Sequence, residues 1–126
     1  MSSAGKWICF GCKQGERDVL EITGTGSNGL VGFKGTLKDE DYNFIILAVE
    51  CPDECGGDYS IVKNLFIAWV GPDVKPLTKA RSSQQRVALY NFAKKLLQMH
   101  GELQVQSQEE LTEKDVVQKL AYSRQA

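Results

Sequence analysis

Residues Leu65 to Leu97, LFIAWVGPDVKPLTKARSSQQRVALYNFAKKLL, decide how this chain folds. Leu65 to Val70 is an apolar run of strand length, and Gly71-Pro72 stops it. Pro76 suits the first turn of the helix that follows. That helix is expected from about Lys75 to Met99, roughly 35 Å at 1.5 Å per residue, longer than the strand beneath it. Leu89, Phe92, Ala93 and Leu96 fall at i, i+3, i+4 and i+7, an expected core stripe. Continued backwards, this face meets Gln85, Ser82 and Thr78, so it fades where basic residues begin. The C-terminal half is therefore expected to pack on a sheet, and the N-terminal half to stand exposed. Lys75, Lys79, Arg81, Arg86, Lys94 and Lys95 lie in this segment, with no acid between Val74 and Gly101. Charges of one sign repel each other, so the rod calls for an anionic partner.

Outward from this block, Ile61 to Val70 reads as a central strand. Asn43 to Glu50 (NFIILAVE) is nearly all apolar, as in a strand covered on both faces. Lys6 to Cys12 (KWICFGC), a turn at Lys13 to Glu16 (KQGE), and alternating Asp18 to Thr23 (DVLEIT) form an expected hairpin. Gly24 to Gly29 breaks the chain before a weak helix over Leu30 to Leu37, where each interior glycine costs about 1 kcal/mol against alanine. Glu102 to Gln106 alternates like a strand. Thr112 is the expected N-cap of a short last helix with Val116, Val117 and Leu120 as its apolar face, although Asp115 replaces the Glu or Gln of a capping box. The order β-β-α-β-β-α-β-α mixes hairpins with crossovers. It predicts an α/β chain of α+β type, a central mixed sheet of about five strands flanked by helices. At 126 residues the expectation is a single domain, 1–126.

Composition narrows function mainly by exclusion. The net charge is −1, so no overall field draws the molecule to nucleic acid, and no aromatic residue stands among the cations from Lys75 to Arg86 to stack on bases. Phosphoinositide headgroups fit those cations better, as a secondary ligand. No apolar run approaches the roughly 20 residues of a membrane span, and the start MSSAGKW has no secretory apolar core, so a cytoplasmic location is expected. Gly24-Thr25-Gly26-Ser27-Asn28-Gly29 matches a dinucleotide fingerprint, with Glu50 ending the next strand, but the helix after it is short and glycine-broken. A plain glycine turn is the better reading.

Cys9-x2-Cys12 and Cys51-x3-Cys55 have spacing that could hold zinc. Alternation within a strand, however, sends Cys9 and Cys12 to opposite faces, and reduced thiols explain all four cysteines more simply. His100 is the one histidine, expected at a helix end where it complements the dipole. The acids Asp39-Glu40-Asp41 and Glu109-Glu110 read as solvated turns. No enzyme, cofactor or metal is expected.

With these motifs in place, the chain resembles the actin-depolymerising-factor homology domains, nearest the coactosin and drebrin-like branch. Trp7 to Thr25 (WICFGCKQGERDVLEITGT), Leu65 to Gly71 (LFIAWVG), Lys79-Ala80-Arg81 and Asn91-Phe92-Ala93-Lys94 carry the resemblance, which spans about residues 6 to 122. It implies the gelsolin-like architecture of that family, actin as partner, and no catalysis. The helix positions implied to dock between actin subdomains are Lys79, Arg81, Ser82 and Arg86, with Lys75 just before them. A filament-specific contact is implied around Gln106 to Lys114, including Glu109, Glu110 and Lys114.

The resemblance is not complete. The family's usual helix before the first strand has only Met1 to Gly5 as its counterpart, so part of one sheet face should be bare, or covered by a partner or another copy. That departure favours filament binding without severing, by a cytoskeleton-associated monomer. The loop Cys51 to Ser60 matches no family role. Two other readings stand beside this one. The first is a glia-maturation-factor-like regulator binding actin-related proteins of the branching complex, and the second a small zinc-stabilised interaction module.

Overall fold

Phe44, Ile45, Ile46 and Leu47 are buried in succession, because both faces of their strand are covered. Everything else is arranged around that strand. The structure, a computed structural model, describes residues 4–13, 16–52 and 60–123. Its elements are β1 (Trp7–Lys13), β2 (Glu16–Gly26), α1 (Leu30–Lys34), β3 (Tyr42–Pro52), β4 (Ser60–Val70), α2 (Pro76–Leu96), β5 (Met99–Val105) and α3 (Glu113–Ser123), with a 3-10 turn at Gln108–Glu110. One sheet in the order β2-β1-β3-β4-β5 joins the strands. Three pairs are antiparallel, and β4 with β5 is parallel. A parallel pair needs a long crossover, and α2 supplies it. The mixed five-stranded sheet and the element order are as the sequence implied.

The two faces of the sheet are closed differently. On one, Ile45, Leu47, Leu65, Ile67, Trp69 and Val105 meet Phe33 of α1 and Leu111, Val116 and Leu120 at the C-terminal end. On the other, Tyr42, Phe44, Ile46, Phe66 and Ala68 meet Ala93, Leu89 and Tyr90 of α2. Thr112 caps α3 as expected, its Oγ1 accepting from the Asp115 N–H at 3.1 Å.

Three details differ from the sequence expectation. The long helix stops at Leu96, not Met99. Leu97 turns extended while its N–H still donates to the Ala93 carbonyl, and Met99 and His100 already belong to β5. The buried stripe is also rotated. Ser82 and Ala93 face the sheet, with Gln85 and Leu89 half-buried between them and Thr78 half-buried before them, while Phe92 is 58% exposed and Leu96 67% exposed. Small side chains set the contact because they let the helix axis approach the strands, and the larger ones are left on its flank. The expected contrast of buried tail and exposed head is replaced by one thin seam along the whole helix.

The glycine run is the third difference. Gly24 and Gly26 lie inside β2, and a Cβ on Gly26 would come within 2.6 Å of the Trp7 ring. Trp7 lies across these glycines, donates from Nε1 to the Asn28 Oδ1 at 3.1 Å, and meets the Phe33 ring edge-on at 5.4 Å. The pattern that resembles a nucleotide fingerprint is a seat for an indole. The helix after it has five residues, too short to hold a phosphate on its end.

Candidate functional site

The first turn of α2 is built to project. Lys75 is its extended N-cap and Pro76 its first residue, so the chain enters the helix stiffly from the Gly71 turn. That turn is fixed by the sheet end, with the Gly71 N–H donating to the Asp41 carbonyl and the Asp73 N–H to the Asp39 carbonyl. Lys75, Leu77 and Lys79 then stand exposed and Arg81 half-buried. Leu77, at 84% exposed, is the most uncovered large apolar side chain of the described residues. A reading of charge alone passes over it, because one leucine among lysines makes no periodic signal.

A crevice runs along each side of this head. On the β1 side, about 830 Å³ is lined by Lys75, Leu77 and Arg81 together with Cys12, Glu40 and Asp41. On the β5 side, about 440 Å³ is lined by Lys79 and Ser83 with Gln104, Gln106 and Glu110. The second crevice brings together two groups of expected site residues far apart in sequence, Lys79 and Glu110. Glu110 also accepts from the Gln106 N–H and the Ser107 hydroxyl at 3.2 Å, which ties down the turn that carries it. Glu109 and Lys114 are exposed beyond it.

Two expected contact residues have other work. Ser82 is 2% exposed, and its Oγ donates to the Lys79 carbonyl at 2.8 Å, so its side chain faces the sheet. Arg86 donates from Nη1 to the Glu102 Oε1 at 2.6 Å, and this pair clamps the middle of α2 to β5. Arg86 is thus answered from within the fold. Spacing could not reveal this, since the partner lies across the crossover.

The remaining sequence candidates fall into place as structure. Cys9 packs in the first cluster and Cys12 beside the second, so the pair cannot close around one ion. Burial pushes the Cys9 thiol up despite a hydrogen bond from Thr23, and keeps it protonated. Cys51 is buried, whereas Cys55 and most of its loop lie outside the described residues. His100 is in β5 rather than at a helix end. Its Nδ1 accepts the Asn64 N–H at 3.0 Å, at the register shift between β4 and β5. Burial first, and then the nearby Lys63 charge, lower its pKa from the ordinary value. Among the described residues no helix is long and apolar enough to cross a membrane.

Comparison with known proteins agrees with this geometry. The profile of the cofilin/tropomyosin-type actin-binding proteins matches residues 1–121. Coactosin from Entamoeba histolytica is similar in structure with a TM-score of 0.82 and 25% identity, over 98% of this chain and 85% of that one. Human coactosin-like protein is similar at 0.78 and 17%, over 93% and 82%. Mouse coactosin, described as an actin filament binding protein, is similar at 0.71 and 20%, over 99% and 85%. A search of curated protein sequences gives no match. With its match to the family profile and the shared sheet, the chain belongs to the cofilin/tropomyosin-type actin-binding family, as an actin-depolymerising-factor homology domain of the coactosin branch.

Proposed function

We propose that this chain is a single actin-binding domain that engages the filament through the head of α2, with Lys75, Lys79 and Arg81 as its charged contacts. The observation that carries this reading is Leu77, exposed in the first helical turn with Lys75 and Arg81 along the same crevice and Lys79 exposed on the opposite side of the helix. An uncovered leucine does nothing for the fold, but beside two cations it suits an acidic cleft with an apolar floor. Glu109, Glu110 and Lys114 supply a second contact along the edge beyond β5. Ser82 and Arg86 support the helix from beneath and are not contacts themselves. The binding involves no catalysis and no severing, and the protein acts as a monomer in the cytoplasm, on the cytoskeleton. Phosphoinositide headgroups compete for the same cations.

Co-sedimentation with actin filaments across a salt series tests the proposal. Pelleting should weaken as salt rises, because the contact rests on exposed charge. Lys75→Glu with Lys79→Glu, both exposed, should reduce affinity by about tenfold or more, about 1.4 kcal/mol, while stability stays within about 1 kcal/mol. Unchanged pelleting of the double variant would remove the α2 head from the interface. Binding to actin-related proteins of the branching complex without filament binding would favour the regulator reading instead.

A further inference from the structure

The connector from Gly35 to Asp41 joins α1 to β3 and is tied on two sides to segments distant in sequence. On one side it fixes the launch of α2. The Asp39 and Asp41 carbonyls accept the Asp73 and Gly71 N–H groups at 2.9 and 3.0 Å, and the Trp69 indole donates to the Lys38 carbonyl at 2.8 Å. The approach is so close that a Cβ on Gly71 would collide with the Asp39 carbonyl.

On the other side stands the turn from Ser107 to Leu111, which carries Glu109 and Glu110. Here the tie is reciprocal. Gln108 donates from Nε2 to the Lys34 carbonyl at 2.8 Å and to the Leu37 carbonyl at 3.4 Å. Lys34 in turn donates from Nζ to the Leu111 carbonyl at 2.7 Å. The last carbonyls of a helix lack partners within it, and here a side chain 74 residues away answers the one at Lys34.

Apolar burial already holds these segments together, since Phe33, Leu37 and Leu111 are buried beside the clasp. Burial has no preferred direction, whereas hydrogen bonds do, so the clasp settles where the turn points. The turn's own bonds, Glu110 N–H to Ser107 and Leu111 N–H to Gln108, make one 3-10 turn and leave its orientation to outside ties. Lys34 and Gln108 are half-buried, at a margin where water can take over a lost bond. Removing either donor should therefore cost position more than stability.

We propose that Lys34 and Gln108 are positioning residues for actin binding: they lock the Glu109–Glu110 turn to the connector that also fixes the α2 head, and so preset the spacing of the two contacts. Their role rests on the filament contact proposed above and explains how its two parts act together. Contacts held at a preset spacing engage as one, because the second forms without a further ordering cost.

Filament co-sedimentation and amide hydrogen exchange on the whole chain test this role. Lys34→Met and Gln108→Met each remove the donors at nearly constant length. Each should weaken pelleting about three- to tenfold, while Lys34→Arg, which keeps donors, should stay near the parent. The Leu111 N–H should exchange severalfold faster in both Met variants, with β3 amides still protected. The deciding background is Glu109→Ala with Glu110→Ala. If Gln108 acts by placing those acids, Gln108→Met should add nothing once they are gone. An equal loss in both backgrounds would overturn the positioning role. So would parent-like pelleting by both Met variants where the acid pair does weaken it, or loss of β3 protection together with pelleting. No pelleting by the parent, or full pelleting without the two acids, would instead remove the filament contact or its second part, and the positioning role with it.

Discussion

The two faces of the sheet bury their residues in opposite styles. Beneath α1 and α3, Phe33, Leu65, Ile67, Trp69, Leu111 and Leu120 are wholly enclosed, and large side chains interlock from four strands and both helices. Beneath α2, the helix itself contributes two fully buried side chains, Ser82 and Ala93, and is held further by Arg86 on Glu102 and Tyr42 on Gln85. One face is secured by volume and the other by a narrow seam and polar clasps. Stability is therefore concentrated on the first, and the second remains free to present surfaces.

The largest effect should come from hollowing the sealed face. Phe33→Ala removes a completely buried ring that also supports Trp7, and should cost about 3–5 kcal/mol in urea unfolding. A loss under about 1 kcal/mol would erase the distinction between the faces. On the open face, Arg86→Ala should cost about 1.5–3 kcal/mol, since a partly buried carboxylate loses its charged partner. Glu102→Gln in the same background should recover part of that loss.

The smallest effect concerns the seam between β4 and β5, and depends on pH. The folded His100 pKa lies below the ordinary value of 6.5, so the unfolded chain binds the extra proton first. Its contribution is intact above that value and is lost as pH falls toward the lower, folded one. Protonation of Nδ1 removes the acceptor for the Asn64 N–H. The thermal midpoint should drop by a few degrees on acidification through this window, and His100→Gln should flatten the slope. An equal slope in the variant would assign the effect to other groups.

The element order was legible because strands and helices carry different apolar periods, and NFIILAVE, short and rich in β-branched and aromatic residues, read as a strand covered on both sides. The α2 face was misread for a physical reason. Periodicity selects the greasiest stripe, Leu89, Phe92, Ala93 and Leu96, whereas close approach to the strands selects Ser82 and Ala93. Phe92 was free to lie aside because, among the described residues, no helix covers the β1–β2 wing on the α2 face, a fact of topology invisible along the chain. The head of α2 was recognisable from its cations, but Leu77 was overlooked and the tie from Arg86 to Glu102 spans the crossover. Likewise the glycines read as a turn, whereas Gly24 and Gly26 lie within β2 and accommodate Trp7.

The two tryptophans give this molecule its own optical gauge. Trp69 is sealed, with its indole N–H on the Lys38 carbonyl at 2.8 Å, while Trp7 is partly open at the margin of β1. A water-borne quencher such as iodide should dim the redder Trp7 emission and leave the bluer Trp69 light intact. Loosening near the hairpin could then be watched without dye or label, separately from collapse of the interior.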